Sequence, residues 1–220
     1  MSPDAPAQRP VTTTGLPKPA TADEASGIHG WTTLTTVELQ GGRMSLHVDE
    51  VVRPNGSTGS YKYIALPDGV RVAALDEEGR LALLEEDVYV CGQRLLLLPG
   101  GGVEKGETPE QAAVRELAEE GGITAGDLRL LTRMRRMPAN ARTTEHLYLA
   151  RDLQLGAPDR EASEEGMTLR WTPLDEAVEM CGDGRITEAG TLAAILLTAQ
   201  FLSREAELKP TDTRTERHRG

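Results

Sequence analysis

Residues 101–123 read GGVEKGETPEQAAVRELAEEGGI, and the placement of their charges decides what the surrounding chain must build. Thr108-Pro109-Glu110-Gln111 is a helix opening. Thr108 is placed to be the N-cap, Pro109 falls in the first turn, where its missing N–H costs nothing, and Gln111 completes a capping box. Gly121-Gly122 supplies the stop. Ala112, Ala113, Val114, Leu117 and Ala118 between them suit a helix of about three turns. Glu116, Glu119 and Glu120 then stand at i, i+3 and i+4 and share one face. Carboxylates on one stripe repel by a few tenths of a kcal/mol per pair. A hard divalent cation reverses that sign, because Mg²⁺ takes oxygen ligands and bridges carboxylates to phosphates. Arg115, just ahead of the stripe, can pair with Glu119 one turn on or with Glu107 before the helix. Leu98-Pro99-Gly100-Gly101 forms the loop in front, where glycine lets backbone approach a ligand closely. A merely solvated acidic face would need the glycine-rich entry, Arg115, Glu107 and Gly122-Ile123 to coincide with the cluster by chance.

The whole chain has 220 residues, enough for one globular domain and a small extra element. Acidic residues outnumber basic ones by 35 to 24, giving a net charge of −11. That balance argues against a surface that coats nucleic acid and suits an anionic substrate that arrives with a cation. No apolar run approaches the roughly 18 residues of a membrane span. The first residues carry no apolar core of a secretory signal, so a cytoplasmic protein without a membrane partner is expected. Cys91 and Cys181 lie far apart with no metal-ligand spacing, as expected of reduced thiols.

Residues 1–27 carry prolines at 3, 6, 10, 17 and 19 among Ser, Thr, Ala and Asp, and read as a disordered leader. Residues 28–66 read as an antiparallel β arm. Trp31 to Val37 and Met44 to Val48 are its strands, with turn signals at Gly41-Gly42 and Pro54-Asn55-Gly56. The main domain spans 67–203. Val70 to Leu75 and Leu81 to Leu84 read as a hairpin about Asp76-Glu77-Glu78-Gly79, and Leu95 to Leu98 as a buried strand entering the glycine loop. Further strands are expected at Leu128 to Met134, Glu145 to Ala150 and Leu169 to Trp171, a short helix from Pro173, and a longer one over Thr187 to Leu202. Residues 204–220 read as a flexible charged tail.

Gly101, Glu107, Arg115-Glu116-Leu117, Glu119-Glu120 and Gly122-Ile123 fill every fixed position of the Nudix box. The chain therefore resembles the Nudix hydrolases, which cleave a nucleoside diphosphate linked to a second group. The resemblance implies an α+β fold, an α/β/α sandwich with a mixed sheet, to which the N-terminal arm is added. It implies Mg²⁺, with Mn²⁺ as a substitute, held by Glu116, Glu119, Glu120 and the Gly100 carbonyl, with Arg115 orienting the carboxylates. From about Trp31 to Leu202 the chain is similar to the ADP-ribose pyrophosphatase branch, whose β arm helps build a homodimer. Pro138, His146 to Leu153, Trp171 to Ala177 and Gly184-Arg185-Ile186 carry that likeness.

In that branch a glutamate on the loop before the last strand activates or positions the attacking water. Glu165 and Glu164 match it best, with Glu161 third. A weak carboxylate base suffices where a cation has already acidified the water. Three departures touch the substrate pocket. Asp87-Val88-Tyr89 stands where the branch has an arginine between aromatics, Leu97 where a glutamate is common, and Ala139 where a glycine follows the proline. Arg133, Arg135, Arg136 and Arg142 flank Pro138 and can supply replacement contacts to phosphate or sugar.

The expected reaction is hydrolysis of ADP-ribose to AMP and ribose 5-phosphate. A pyrophosphatase for a GDP- or UDP-sugar is the alternative that the changed pocket favours. A non-catalytic nucleotide sensor is disfavoured, because the box carboxylates are kept and no helix-turn-helix extension is seen.

Overall fold

The computed structural model describes residues 30–160 and 166–208. The chain divides into two compact units, with the boundary between Ala65 and Leu66.

In the first unit, β1 (Thr32–Gly41), β2 (Met44–Val52) and β3 (Thr58–Ala65) form an antiparallel meander. Val37 pairs with Val48, and Leu46 with Ile64. The β2–β3 turn closes at Gly56, where a φ of +79° favours glycine and its N–H donates to the Arg53 carbonyl at 2.8 Å. β3 is a strand that the sequence left unassigned. Leu34, Val37, Leu39, Met44 and Leu46 are exposed.

The second unit contains β4 (Gly69–Ala74), β5 (Arg80–Val88), β6 (Gln93–Leu97), α1 (Pro109–Gly121), β7 (Ile123–Met134), β8 (Ala141–Arg142), β9 (Glu145–Leu155), β10 (Thr168–Pro173), α2 (Leu174–Asp183) and α3 (Ala189–Leu208). One sheet has the order β4-β9-β7 and is mixed, with β4 parallel to β9 and β9 antiparallel to β7. The other has the order β10-β5-β6 and is antiparallel. Side chains alternate across the strands. Val70, Val72, Ala74, Ala82, Tyr148 and Ala150 pack with Ala113 and Leu117 of α1. Ala73, Leu81, Leu83, Leu147 and Leu149 pack with Ala177 and Met180 of α2 and Ala194 and Ile195 of α3. The strands thus lie between α1 on one side and α2 with α3 on the other, an α/β/α sandwich.

The expected hairpin at Asp76–Gly79 is corrected by this topology. Its turn is present: Asp76 N–H donates to the Arg80 carbonyl at 3.0 Å, and a single antiparallel bridge joins Leu75 to Leu81. Beyond that rung β4 joins β9 and β5 joins β6 and β10. β4 and the Leu81–Leu84 half of β5 are buried on both faces, each within its own sheet. The last helix runs to Leu208, past residue 204, where the flexible tail was expected to start.

Candidate active site at the entry to the first helix

Local sequence builds α1. Thr108 Oγ1 accepts from Gln111 N–H at 3.2 Å while Gln111 Oε1 accepts from Thr108 N–H at 2.8 Å, a complete capping box. Gly122 closes the helix in the left-handed conformation with a φ of 63°, and a Cβ there would stand 2.6 Å from the Gly156 carbonyl oxygen. The helix therefore presents Glu116, Glu119 and Glu120 in fixed phase toward the Pro99–Gly102 loop.

That loop lies against β4. Val70 N–H donates to the Gly101 carbonyl at 2.9 Å and Val72 N–H to the Pro99 carbonyl at 2.8 Å. Gly100 has a φ of +153°, and a Cβ there would stand 2.1 Å from the Val70 carbonyl oxygen, so only glycine fits. A Cβ on Gly101 would stand 2.2 Å from Glu116 Oε1; the space that glycine leaves is filled by that carboxylate. Glu120 Oε2 accepts from Gly100 N–H at 2.8 Å. Glu116 and Glu120 are 8% and 7% exposed, which is unusual for glutamates.

Arg115 gathers the acids. It donates from Nε and Nη2 to the two Glu107 oxygens, each at 3.0 Å, and from Nη1 to Glu116 Oε1 at 2.9 Å and Glu119 Oε2 at 3.0 Å. Nη2 also reaches the Gly102 carbonyl at 3.1 Å. Glu107 first, then Glu116 and Glu119, hold the guanidinium far above its ordinary range. Among the described residues no three His, Cys, Asp or Glu side chains stand ready-made as a cation cluster, because Glu116 and Glu119 turn toward Arg115.

A second charged group sits behind the loop. Arg71, on β4, donates from Nη1 to the Gly100 carbonyl at 2.7 Å and from Nε to Glu188 Oε2 at 3.4 Å. Its Nε lies 3.9 Å from Glu145 Oε1. Glu145, only 1% exposed, also meets Arg136 Nε at 3.4 Å through Oε2, an atom that accepts no hydrogen bond among the described residues. Burial pushes the Glu145 carboxyl up, against the pull of Arg71 and Arg136. For Glu188 burial also works upward, but Arg71 and the N–H groups of Thr191 and Gly190 outweigh it and hold the carboxyl below its ordinary value. Glu188 caps α3, accepting from Gly190 N–H at 3.0 Å and Thr191 N–H at 2.7 Å. Thr191 Oγ1 in turn accepts from Leu98 N–H at 3.0 Å, so the start of α3 is tied to the strand that enters the loop.

Gly100, Arg115, Glu116, Glu119 and Glu120 are thus brought together. Arg133 ends up exposed on β7, in register with His146. Arg135 is engaged by the Thr143 carbonyl at 3.2 Å and Thr144 Oγ1 at 2.7 Å. Pro138 and Arg142 are exposed. Of the four arginines about Pro138, Arg136 is the one paired with Glu145. Glu161, Glu164 and Glu165 lie outside the described residues. Arg160, just before them, donates to the Glu120 carbonyl at 2.9 Å and to the Met167 carbonyl.

Arg71, Glu145 and Glu188 were not singled out from sequence. Arg71 left a signal, as the lone charge in Val70-Arg71-Val72-Ala73-Ala74. Glu145, directly ahead of a buried strand, left a weaker one.

The NUDIX domain family matches residues 65–194, well over half of the chain. The ADP-ribose pyrophosphatase of Bacillus subtilis (strain 168) is 31% identical over 153 residues, 69% of this chain and 83% of that protein. At the same identity, also over 153 residues, the chain resembles the CMP-5'-(N-acetyl-N-hydroxy-3-aminopropyl)phosphonate hydrolase of Streptomyces rubellomurinus (strain ATCC 31215), covering 70% and 74% of the two chains. A crystal structure titled as an ADP compounds hydrolase superposes with a TM-score of 0.72 at 21% identity, over 83% of this chain and 100% of that one, and shares the fold. The chain belongs to the Nudix family and is a hydrolase similar to its ADP-ribose pyrophosphatase branch.

Proposed function

We propose that the chain hydrolyses the diphosphate bond of a nucleoside diphosphate linked to a sugar, with ADP-ribose as first substrate and AMP and ribose 5-phosphate as products. The observation that carries this is the burial of the Glu116 and Glu120 carboxylates against Gly100-Gly101, where a Cβ would not fit. Carboxylate and carbonyl oxygens around one loop form a hard donor set, and hard oxygens suit Mg²⁺ or Mn²⁺. Glu116, Glu119, Glu120 and the Gly100 carbonyl would hold the cation. When bound, it would neutralise the diphosphate and the negative charge that develops on its oxygens.

The protein's own groups do the rest. Arg115 keeps three carboxylates from splaying apart, and its bidentate grip on Glu107 fixes the loop to the helix. Glu120 holds the Gly100 peptide through its N–H. Glu165 or Glu164 takes a proton from the attacking water. Arg133, Arg142 and the Pro138 loop receive the distal part of the substrate. Arg135 does so only by giving up its hold on residues 143–144. The exposed apolar residues of the arm support a homodimer. A cytoplasmic setting is part of this proposal; among the described residues no helix is long and apolar enough to cross a membrane.

The assay is release of AMP from ADP-ribose by the purified chain with Mg²⁺, with Glu120→Gln as the control. Full turnover by Glu120→Gln would remove the assigned cation site. A second reading, hydrolysis of another nucleotide conjugate such as a GDP- or UDP-sugar, is favoured by Leu97 and Val88, which stand where the ADP-ribose pyrophosphatase branch carries a glutamate and an arginine. The Streptomyces relative's CMP-linked substrate shows that an equally similar protein acts on something else. A panel of sugar nucleotides separates the two.

A further inference from the structure

Arg71 occupies the carbonyl that the proposed cation needs. It is the described guanidinium that donates to Gly100 O, at 2.7 Å, and its side chain is only 14% exposed. It projects from β4 on the side where Ala73 packs against the α2 and α3 core, so a charge stands in an apolar row. Glu188 and Glu145 retain it there, at 3.4 and 3.9 Å from Nε.

A brace for the loop is one use of such an arginine, but the loop is already braced. Val70 N–H and Val72 N–H fix the carbonyls on either side of Gly100, and Gly100 N–H is held by Glu120. The peptides before and after the one that carries the Gly100 carbonyl are held by these three hydrogen bonds, and the close approach of Gly100 to Val70, which no Cβ would allow, limits how that carbonyl can turn. What Arg71 adds is positive charge on an oxygen.

We propose that Arg71 is a resident counter-cation of the Gly100 carbonyl, which competes with the divalent cation for that oxygen and sets the affinity of the site. This rests on the cation site proposed above. A divalent ion at Gly100 O and a guanidinium donating to the same oxygen repel each other, and at such range the repulsion is not screened by solvent. Glu145 and Glu188 give Arg71 a place to remain when it releases the carbonyl, since Glu145 Oε2 still has an acceptor site open among the described residues. A brace and a competitor predict opposite signs. Loss of a brace weakens cation binding, and loss of a competitor strengthens it.

The test is titration calorimetry with MnCl₂ on the full chain, without substrate, for wild type, Arg71→Gln, Arg71→Lys and Glu120→Gln. Arg71→Gln is expected to bind Mn²⁺ roughly tenfold tighter or more, and Arg71→Lys, which keeps the charge, to stay near wild type. Arg71→Gln that is folded by circular dichroism yet binds equally or more weakly overturns the proposal. Should Arg71→Gln fail to fold because Glu145 and Glu188 lose their counter-charge, the double variant Arg71→Gln/Glu188→Gln takes its place. That variant must bind more tightly than wild type, and equal or weaker binding overturns the proposal. Mn²⁺ uptake that Glu120→Gln leaves unchanged in an otherwise normal series removes the cation site itself, and the role of Arg71 with it.

Discussion

Replacing Gly101 with alanine tests the site through one atom. The added Cβ would stand 2.2 Å from Glu116 Oε1, 2.6 Å from Cδ and 2.8 Å from Oε2. Ordinary contact begins near 3.4 Å, so the nearer oxygen must withdraw by roughly 1.2 Å, the difference between those separations. Gly101 is not in the left-handed region, so alanine suits its backbone and the whole effect falls on the carboxylate. Glu116 Oε1 is also the atom that accepts from Arg115, and that bond at 2.9 Å is strained or lost. A misplacement of about 1 Å in a catalytic group costs on the order of 10²-fold in rate, or about 2.7 kcal/mol of barrier. The loss to stability is far smaller, about 1 kcal/mol for one hydrogen bond, a shift of roughly 2–4 °C in Tm. The assay pairs kcat/KM on ADP-ribose at saturating Mg²⁺ with a melting curve. A folded Gly101→Ala chain whose kcat/KM stays within about threefold of wild type, against the expected 10²-fold, would refute the placement of Glu116 in the machinery.

Arg115→Ala removes the partner of three carboxylates, one of them nearly buried, and should lower stability by about 2 kcal/mol, between the values for exposed and buried pairs. Mg²⁺ should restore more of that loss than it adds to wild type; equal stabilisation of both by Mg²⁺ in a thermal-shift series would count against a shared cation site. Gly182→Ala, in α2 with open space around it, should raise stability by about 0.5 kcal/mol, seen as a higher melting temperature with unchanged activity. For Glu188 the folded carboxyl titrates below the ordinary 4.5, so its contribution is complete above that pH and lost as pH falls through the lowered value. The gap in Tm between wild type and Glu188→Gln should therefore narrow on acidification below 4.5; a gap that widens there would reverse the sign of the Arg71 interaction.

What was legible from sequence was local. The capping box at Thr108, the stop at Gly122 and the phase of Glu116, Glu119 and Glu120 depend on residues within a few positions of one another, and they appear where those residues place them. Sheet partnership is not local. The Asp76–Gly79 turn carries every mark of a hairpin, yet its strands separate after one rung because β4 pairs with β9, whose residues lie some 75 positions further on. The charged group behind the loop was hidden for the same reason. Glu145 fits where it does because Gly190 has no side chain: a Cβ there would stand 2.6 Å from Glu145 Oε2. A glycine one position into α3 and a glutamate at the start of β9 have no visible relation until the fold sets them side by side.

Arg71, Glu145 and Glu188, with the exposed Arg136 at the edge, form a largely buried ionic group, and such groups are poor devices for stability. Desolvating the charges consumes most of what their attraction returns, and apolar residues of similar volume do as well or better. Ala73, two residues along the same strand face, shows the cheaper solution in use. A fold that places ions there instead, touching the Gly100 carbonyl on one side and the cap of α3 on the other, gains little in stability from them. Their location is the informative part. Gly100 is bonded through its N–H to Glu120 and through its carbonyl to Arg71, so one residue joins the acids of α1 to the charges behind the loop. Any ion drawn to the acids must alter the balance on the far side, and any substitution on the far side must be felt by the ion. That coupling is why metal affinity, rather than melting temperature, is the quantity in which Arg71 will declare its role.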